Sequence, residues 1–174
     1  MSPFRIGLDV SLQLLQRSDL ASIVRRALDS SSIDPLLLEL EIDETAALRD
    51  LTASIELLRR LREAGVSLTI DDFGSAYSSL QPLATLPIQA VKLDRALTAG
   101  VESGEIKAIV GAVISVSEHL NLRVGAKAVE TREQFASLRN LGCQEGQGSY
   151  IAATLDGDAF GALITDPDRA HVTD

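Results

Sequence analysis

The stretch that decides the fold is residues 70–95, IDDFGSAYSSLQPLATLPIQAVKLDR. It leaves one apolar segment, residues 66–71, and enters a second, residues 90–93, with a short helical pattern over residues 78–86 between them. Pro87 ends that helix, because proline has no N–H to donate and its ring clashes with the preceding turn. Two short apolar strands joined by a helix predict a parallel strand pair.

The same alternation of strand and helix runs along the rest of the chain. Strands are predicted at residues 5–10, 36–42, 66–71, 90–93, 123–129 and 146–152. Helices are predicted at residues 12–29, 48–64, 78–86, 106–120, 132–141 and 156–164. Six strand–helix units in succession predict an α/β protein with a parallel sheet or barrel. We expect one domain over residues 1–165 and a C-terminal tail over residues 166–174.

Charge and cysteine content exclude several classes of function. The formal net charge of −9 disfavours binding to nucleic acid polymers or anionic membranes, because both depend on clustered Lys and Arg. Cys143 is the only cysteine, which excludes an intrachain disulfide and fits a reducing compartment. The sequence shows neither a secretory signal pattern nor a membrane-spanning apolar run, so we expect a cytoplasmic protein.

Charged and polar residues follow almost every predicted strand. They are Asp9, Glu41, Glu44, Asp71, Asp72, Lys92, Asp94, Lys127, Glu130 and Gln147. A single charge at a strand end most often just meets water, and the DDFG segment alone is compatible with an ordinary turn and a serine cap. The repetition favours a cluster, because the carboxyl ends of parallel strands meet at one edge. Crowded carboxylates suit divalent metal and phosphate chemistry, since they repel one another unless a cation lies between them.

Several of these segments resemble one known family. IDDFGSAYSSL with the later KLDR is similar to the IDDFGTGYSSL and KLD-R signature of EAL domains, the bacterial cyclic di-GMP phosphodiesterases. LELEIDET resembles the family's LEITE segment, AKAVETREQ its AEGVET-EQ segment, and LGCQEGQGSYIA its LG and QGY segment. The resemblance implies a TIM-type βα barrel that binds cyclic di-GMP over its C-terminal mouth. In active members, two divalent cations, usually Mg²⁺ or Mn²⁺, activate the water that opens one phosphodiester and releases pGpG.

The resemblance also implies roles for individual residues. The metal ligands would be Asp9, Glu41 and Asp71. The catalytic residues would be Lys92 near the attacking water, Asp72 at the second metal or the water, and Glu130 supporting the metal cluster. The ligand-binding residues would be Glu44, which would hold the DDFG loop, Gln147, and Asp94 and Arg95 beside Lys92.

The chain also departs from the family pattern. The Glu-Ala-Leu segment and the opening strands have no counterpart, so we expect an incomplete barrel of about six βα units that lacks its first part. The family's Asn is Asp9, and the Glu and Gly of its AEGVE segment are Lys127 and Ala128. The later QGY and RPL segments read QGS and ATL.

Lys127 carries the most weight among these departures, because it replaces a metal-binding carboxylate by an ammonium. At about 4 Å and an effective dielectric near 20, two unit charges interact by about 4 kcal/mol, and a dication would roughly double this repulsion. Two-metal catalysis is then disfavoured. A functional site would hold Mg²⁺ or Mn²⁺, whereas a non-functional site would hold no metal. Lys127 would instead act as an internal stand-in for a metal; the alternative is that it extends into solvent.

These considerations predict a degenerate, non-catalytic EAL-like domain that acts as a regulatory or protein-interaction module in cyclic di-GMP signalling. A receptor that binds cyclic di-GMP without cleaving it, and an active metal-dependent phosphodiesterase, are the alternatives. An incomplete barrel exposes the flanks of its terminal strands. We therefore expect a homodimer or a partner protein that completes the barrel.

Overall fold

The computed structural model describes residues 5–75 and 79–165. Within these ranges, six parallel strands form one sheet in which every strand pairs with its neighbour in sequence. The strands are β1 (Ile6–Val10), β2 (Leu38–Asp43), β3 (Ser67–Phe73), β4 (Ala90–Leu93), β5 (Arg123–Ala126) and β6 (Glu145–Gly146). This sequential parallel order is that of a TIM-type barrel left open after six strands, so the predicted incomplete α/β barrel is confirmed.

Helices connect the strands and cover the outer face of the sheet. They are α1 (Leu12–Leu15), α2 (Leu20–Ser31), α3 (Glu44–Leu48), α4 (Leu51–Glu63), α5 (Arg95–Gly100), α6 (Gly104–His119), α7 (Arg132–Asn140) and α8 (Gly157–Thr165). In the described part of the chain, none of them is long and apolar enough to cross a membrane. The expected tail over residues 166–174 lies outside the described residues.

Two predicted helices are each divided in the structure, and in the second of them an aspartate side chain caps the new helix. Residues 12–29 form α1 and α2, separated by a polar turn in which Arg17 pairs with Asp19 at 2.9 Å. Residues 48–64 lie partly in α3 and partly in α4, and the Asp50 side chain accepts a hydrogen bond from Ala53 N at the start of α4. A side chain that caps a helix N-terminus competes with the continuous helix.

The predicted strand over residues 146–152 was wrong beyond its first residue, since β6 ends at Gly146. The chain then turns around Val129, whose carbonyl accepts from Tyr150 N at 3.1 Å. Gly148 permits the turn, because a Cβ there would lie only 2.2 Å from Val129 O. The predicted helix over residues 78–86 is a shorter 3₁₀ helix, Gln81–Ala84, and Ser78 lies outside the described residues.

Other local predictions are confirmed. β4 occupies the predicted residues, and Thr131 and Gln134 form the predicted capping box at the start of α7. Gly65 has φ +92°, the left-handed conformation expected at the end of α4. These features depend on a few neighbouring residues, which is why the sequence predicted them.

The two faces of the sheet differ in polarity, since side chains alternate between faces along a strand. Buried aliphatic side chains face the helices, among them Leu40, Ile42, Leu68, Ile70, Val91 and Val124. The residues between them face the interior and include Glu39, Glu41, Thr69, Asp71 and Lys92. The interior of the half-barrel is therefore lined by charged and polar groups.

At the N-terminal ends of the strands, four of these groups form an ion-pair network. Glu39 accepts from Arg123 at 2.8 Å and from Arg5 at 3.1 Å, and both arginines also pair with Glu145. Burial by itself raises the pKa of the Glu39 carboxyl, but the hydrogen bond from Arg123 and the charges of both arginines outweigh it and hold the pKa below its ordinary value. The network joins β1, β2, β5 and β6 across the floor of the half-barrel.

We predict that Glu39→Gln lowers the free energy of unfolding by about 2 kcal/mol at pH 7, because the arginines lose a buried charged partner. A depressed pKa stabilises the fold above the ordinary value of 4.5 and stops doing so as the pH falls through the folded-state pKa. The stability difference between wild type and variant should therefore shrink below that pH. Urea denaturation across the acidic range measures it, with exposed Glu56→Gln as control. A difference that is independent of pH would contradict the assignment.

Candidate functional site

Three carboxylates meet at the C-terminal mouth of the half-barrel. One oxygen from each of Asp9, Glu41 and Asp71 lies within 4.8 Å of the other two. Asp71 is only 5% exposed, and its Oδ1 has no hydrogen-bond partner among residues 5–75 and 79–165. A buried carboxylate oxygen without a partner is costly, and either a bound cation or a hydrogen-bond donor would satisfy it.

Local sequence explains how Glu41 fits into this cluster. Gly7 lies on the same strand as Asp9, and a Cβ at Gly7 would lie 1.8 Å from Glu41 Oε1. The absence of a side chain at Gly7 therefore leaves room for the Glu41 carboxylate on the inner face. Glu41 also pairs with the Lys92 ammonium from β4, and both side chains are largely buried.

An irregularity in β3 places Asp71 and Asp72 near the same positively charged side chain, Lys127. The register of β3 against β4 shifts between Ile70 and Phe73, so the two aspartates between them oppose a single residue of β4. Asp72 has φ +53°, a left-handed conformation that aspartate tolerates better than most residues. In a regular strand these side chains would point to opposite faces, whereas the bulge lets both carboxylates reach the mouth.

Lys127 lies between these two aspartates. Its Nζ donates to Asp71 Oδ2 at 2.8 Å and to Asp72 Oδ1 at 2.7 Å. Burial by itself lowers the pKa of the ammonium, but the hydrogen bonds and negative charges of Asp71 and Asp72 outweigh it and raise the pKa above its ordinary value. Lys127 thus remains charged and bound within the cluster, and the alternative of a free solvent-exposed side chain is wrong.

The other predicted site residues lie outside this cluster. Glu44 is 2% exposed and accepts a hydrogen bond from Gly74 N at 3.0 Å, which ties α3 to the DDFG loop. Glu130 pairs with Arg95 at 2.9 Å on the surface, so the structure does not bring Glu130 to the three carboxylates.

Asp94 and Gln147 have local surroundings of their own. Asp94 caps α5, its Oδ1 accepting from Ala96 N at 2.7 Å. Gln147 is exposed, and its side chain forms no hydrogen bond with another described residue. The role of Gly7 was not predicted from the sequence. The only indication of it in the sequence was its position, two residues before Asp9 near the end of a strand.

Comparison with known proteins identifies the family. The EAL domain family model matches residues 1–154. The chain belongs to the EAL domain family. It is 40% identical over 152 residues to the cyclic di-GMP phosphodiesterase NbdA of Pseudomonas aeruginosa, a match covering 87% of this chain and 19% of NbdA. The chain therefore spans about a fifth of the length of that relative.

Solved EAL structures share the fold. The PaMucR phosphodiesterase, solved as a c-di-GMP complex, has a TM-score of 0.84 and 35% identity, covering 90% of this chain and 64% of that one. The EAL domain of Mycobacterium smegmatis DcpA has a TM-score of 0.87 and 28% identity, covering 92% of this chain and 72% of that one.

The residues of this EAL domain fit one divalent cation. The three clustered carboxylates offer only hard oxygen donors, which suit Mg²⁺ or Mn²⁺, and Asp71 Oδ1 is buried without a hydrogen-bond partner in the described part of the chain. A second cation bound between Asp71 and Asp72 does not fit, because the Lys127 ammonium already bonds both side chains. Asp9, Glu41 and Asp71 are thus the residues that would hold a single metal ion.

Ala128 is strained where the EAL pattern has glycine. It has φ +54°, a left-handed conformation that costs a non-glycine residue about 1 kcal/mol. The residue follows Lys127 directly, so this conformation sets the direction in which the chain leaves the cluster. Replacement of the family's glycine therefore has a cost in stability that accompanies the change at Lys127.

We predict that Ala128→Gly raises the free energy of unfolding by about 1 kcal/mol, because glycine adopts the left-handed conformation without a Cβ penalty. The same change at exposed Ala108 in α6 should lower it by about 1 kcal/mol, since glycine is a poor helix former. Chemical denaturation of the two variants measures these opposite effects. Destabilisation by both would show that the strain at residue 128 is negligible.

We predict that Lys127→Met lowers the free energy of unfolding by about 2 kcal/mol in metal-free buffer, because Asp71 and Asp72 lose the cation between them. Millimolar Mn²⁺ should restore most of the loss, since the metal can occupy the place of the ammonium. Thermal denaturation with and without Mn²⁺ tests this, with exposed Lys107→Met as control. A loss that Mn²⁺ does not reduce would argue against a cation site at this position.

Proposed function

We propose that this EAL domain is a non-catalytic regulatory or protein-interaction module of bacterial cyclic di-GMP signalling. The observation that carries the proposal is the pair of hydrogen bonds from Lys127 Nζ to Asp71 and Asp72. A phosphodiesterase site of this family uses divalent cations to activate water. Here a side-chain ammonium occupies the position between the two aspartates, and an ammonium cannot coordinate a water and acidify it as a divalent cation does.

Electrostatics supports the absence of two-metal chemistry. A dication placed about 4 Å from the Lys127 ammonium would be opposed by roughly 8 kcal/mol at an effective dielectric of 20. The Glu41 carboxylate is in addition engaged by Lys92, which leaves fewer free donors for a metal. The Asp9, Glu41 and Asp71 cluster keeps the capacity for one cation, and that cation would mainly neutralise the carboxylates and stabilise the mouth.

A cyclic di-GMP receptor is a second candidate. Its support is the likeness to the PaMucR phosphodiesterase, solved as a c-di-GMP complex, and the DDFG loop that Glu44 holds in place. Such a receptor would use the mouth to bind the dinucleotide without cleaving it. Calorimetry with cyclic di-GMP separates this function from a purely protein-binding module, because heat of binding is expected only for the receptor.

An active phosphodiesterase is the third candidate, supported by relatives named as cyclic di-GMP phosphodiesterases and by the carboxylate cluster. If it is correct, Asp9, Glu41 and Asp71 would hold Mg²⁺ or Mn²⁺ and Lys92 would lie near the attacking water. The proposed module differs from it in one measurable respect, the release of pGpG.

The test is incubation of the chain with cyclic di-GMP and either Mg²⁺ or Mn²⁺, followed by chromatography for pGpG. We predict no release by the wild type above an Asp71→Asn control. Lys127→Glu should raise Mn²⁺ affinity at least tenfold, because the substitution replaces a like charge by a carboxylate ligand. Release of pGpG by the wild type that Asp71→Asn abolishes would overturn the proposal and establish the phosphodiesterase.

A further inference from the structure

A groove lies in the helical layer, where the turn between α1 and α2 faces α3 and α4. It has a volume of about 630 Å³, and its apolar lining comes from Leu12, Leu15, Ala46, Ala53 and Leu57. Beside it, α2 packs against α4. The groove is therefore formed by two neighbouring strand–helix units of this chain.

The two helices that pack beside this groove are basic, although the chain as a whole is acidic. Residues 17–31 and 49–63, which contain α2 and α4, hold seven arginines and five acidic residues, a formal net charge of +2. The whole chain has a formal net charge of −9, so the remaining residues carry −11. This helix pair therefore attracts acidic groups, whereas the rest of the chain repels them.

Two arginines of the groove lining lack a carboxylate partner. The guanidinium of Arg49 forms no hydrogen bond or ion pair with the described part of the chain. Arg60 donates to the neutral Ser18 carbonyl at 3.3 Å, and no carboxylate among the described residues pairs with it. Arg17, the third arginine of the lining, is paired with Asp19 at 2.9 Å. Arg49 and Arg60 therefore have guanidinium donors that a ligand can use.

The other polar groups of the lining include two carboxylates and a buried hydroxyl. Asp50 and Glu56 line the groove, but Asp50 Oδ1 accepts a hydrogen bond from Ala53 N at 3.1 Å as the cap of α4. Ser54 is only 5% exposed, and its hydroxyl has no hydrogen-bond partner among the described residues. A buried hydroxyl without a partner is costly, so a ligand that bonds it is stabilised. The groove thus suits a ligand with an apolar face and hydrogen-bond acceptors at its edges.

We propose that this groove binds an acidic amphipathic helix of a partner protein. The apolar face of that helix packs on Leu15 and Leu57, and its carboxylates pair with Arg49 and Arg60. Arg49 directly precedes the cap residue of α4 and Arg60 lies in the last turn of α4, so they are about 15 Å apart along the helix. Acidic residues about eleven positions apart on one helix face have the same spacing, with apolar anchors between them. The inference deepens the proposed function and rests on it, since it gives the chemistry of the partner that the module binds.

Charge and composition favour a protein helix over a nucleic acid as the ligand of this groove. A nucleic acid polymer would reach beyond α2 and α4, where the acidic remainder of the chain repels its phosphates. The described residues of the lining include no aromatic side chain on which a base could stack. A short acidic helix needs only the groove itself.

The probe is a fluorescein-labelled synthetic helix of about 15 residues, built from alanine and glutamine with leucines along one face and a glutamate at each end of that face. Its binding to the full chain is measured by fluorescence anisotropy, and protection of the residue 49–60 amides by hydrogen–deuterium exchange. Arg49→Glu and Arg60→Glu should each weaken binding at least fivefold, because each reverses a charge that pairs with the peptide. Arg62→Glu is the matched control, since Arg62 is exposed on α4 outside the groove lining, and it should change the affinity less than twofold.

Saturable binding of the acidic peptide, protection of residues 49–60 and weakening confined to the two groove variants would support the inference. No binding at about 1 mM peptide, equal weakening by Arg62→Glu, or equal binding of a peptide with lysine in place of glutamate would overturn it. Displacement of the peptide by a single-stranded oligonucleotide would also overturn it and assign the helix pair to nucleic acid. Concentration-dependent protection of the same residues in the chain alone would overturn it in favour of a second copy.

The exchange measurement uses the wild type, so it does not depend on the folding of a variant. Release of pGpG is measured on the chain without the peptide. Failure of the proposed function is therefore seen separately from failure of the groove to bind.

Discussion

Inward-facing charges along a parallel sheet must be neutralised by one another, and the rest of this structure depends on that constraint. Helices bury the aliphatic face of the sheet, which forces alternate residues of the same strands into the interior. Many of those residues are ionised, so each charge needs a partner. The half-barrel contains two such networks, one at each end of its strands.

The two networks have different consequences. At the floor, Glu39 and Arg123 pair with Arg5 and Glu145, which connects the first and last strands although these share no backbone hydrogen bonds within the described ranges. At the mouth, Lys127 bonds Asp71 and Asp72, and here neutralisation by a side chain excludes a metal ion from between the same aspartates. One electrostatic requirement therefore supports the fold at one end and limits the chemistry at the other.

The strained backbone at the mouth lies next to the same charge network. Asp72 and Ala128 both have left-handed conformations, and each lies next to a member of the Lys127 network. Asp72 needs this conformation because a bulge directs two successive carboxylates to one side. Ala128 adopts the conformation although it carries a Cβ, whereas a glycine would adopt it freely.

Periodicity and local motifs determined much of this protein from sequence alone. Short segments of the sequence predict the six strands, the capping box at Thr131 and the left-handed Gly65. Each of these features depends mainly on interactions between neighbouring residues. The resemblance to the EAL pattern also implied that Lys127 stands where the pattern has a carboxylate, because that is a question of residue identity. Only the tertiary structure decided where its ammonium lies, that Glu130 pairs with Arg95 away from the carboxylates, and that β6 ends after two residues. These outcomes depend on contacts between residues far apart in sequence, in which direction and distance cannot be derived from spacing along the chain.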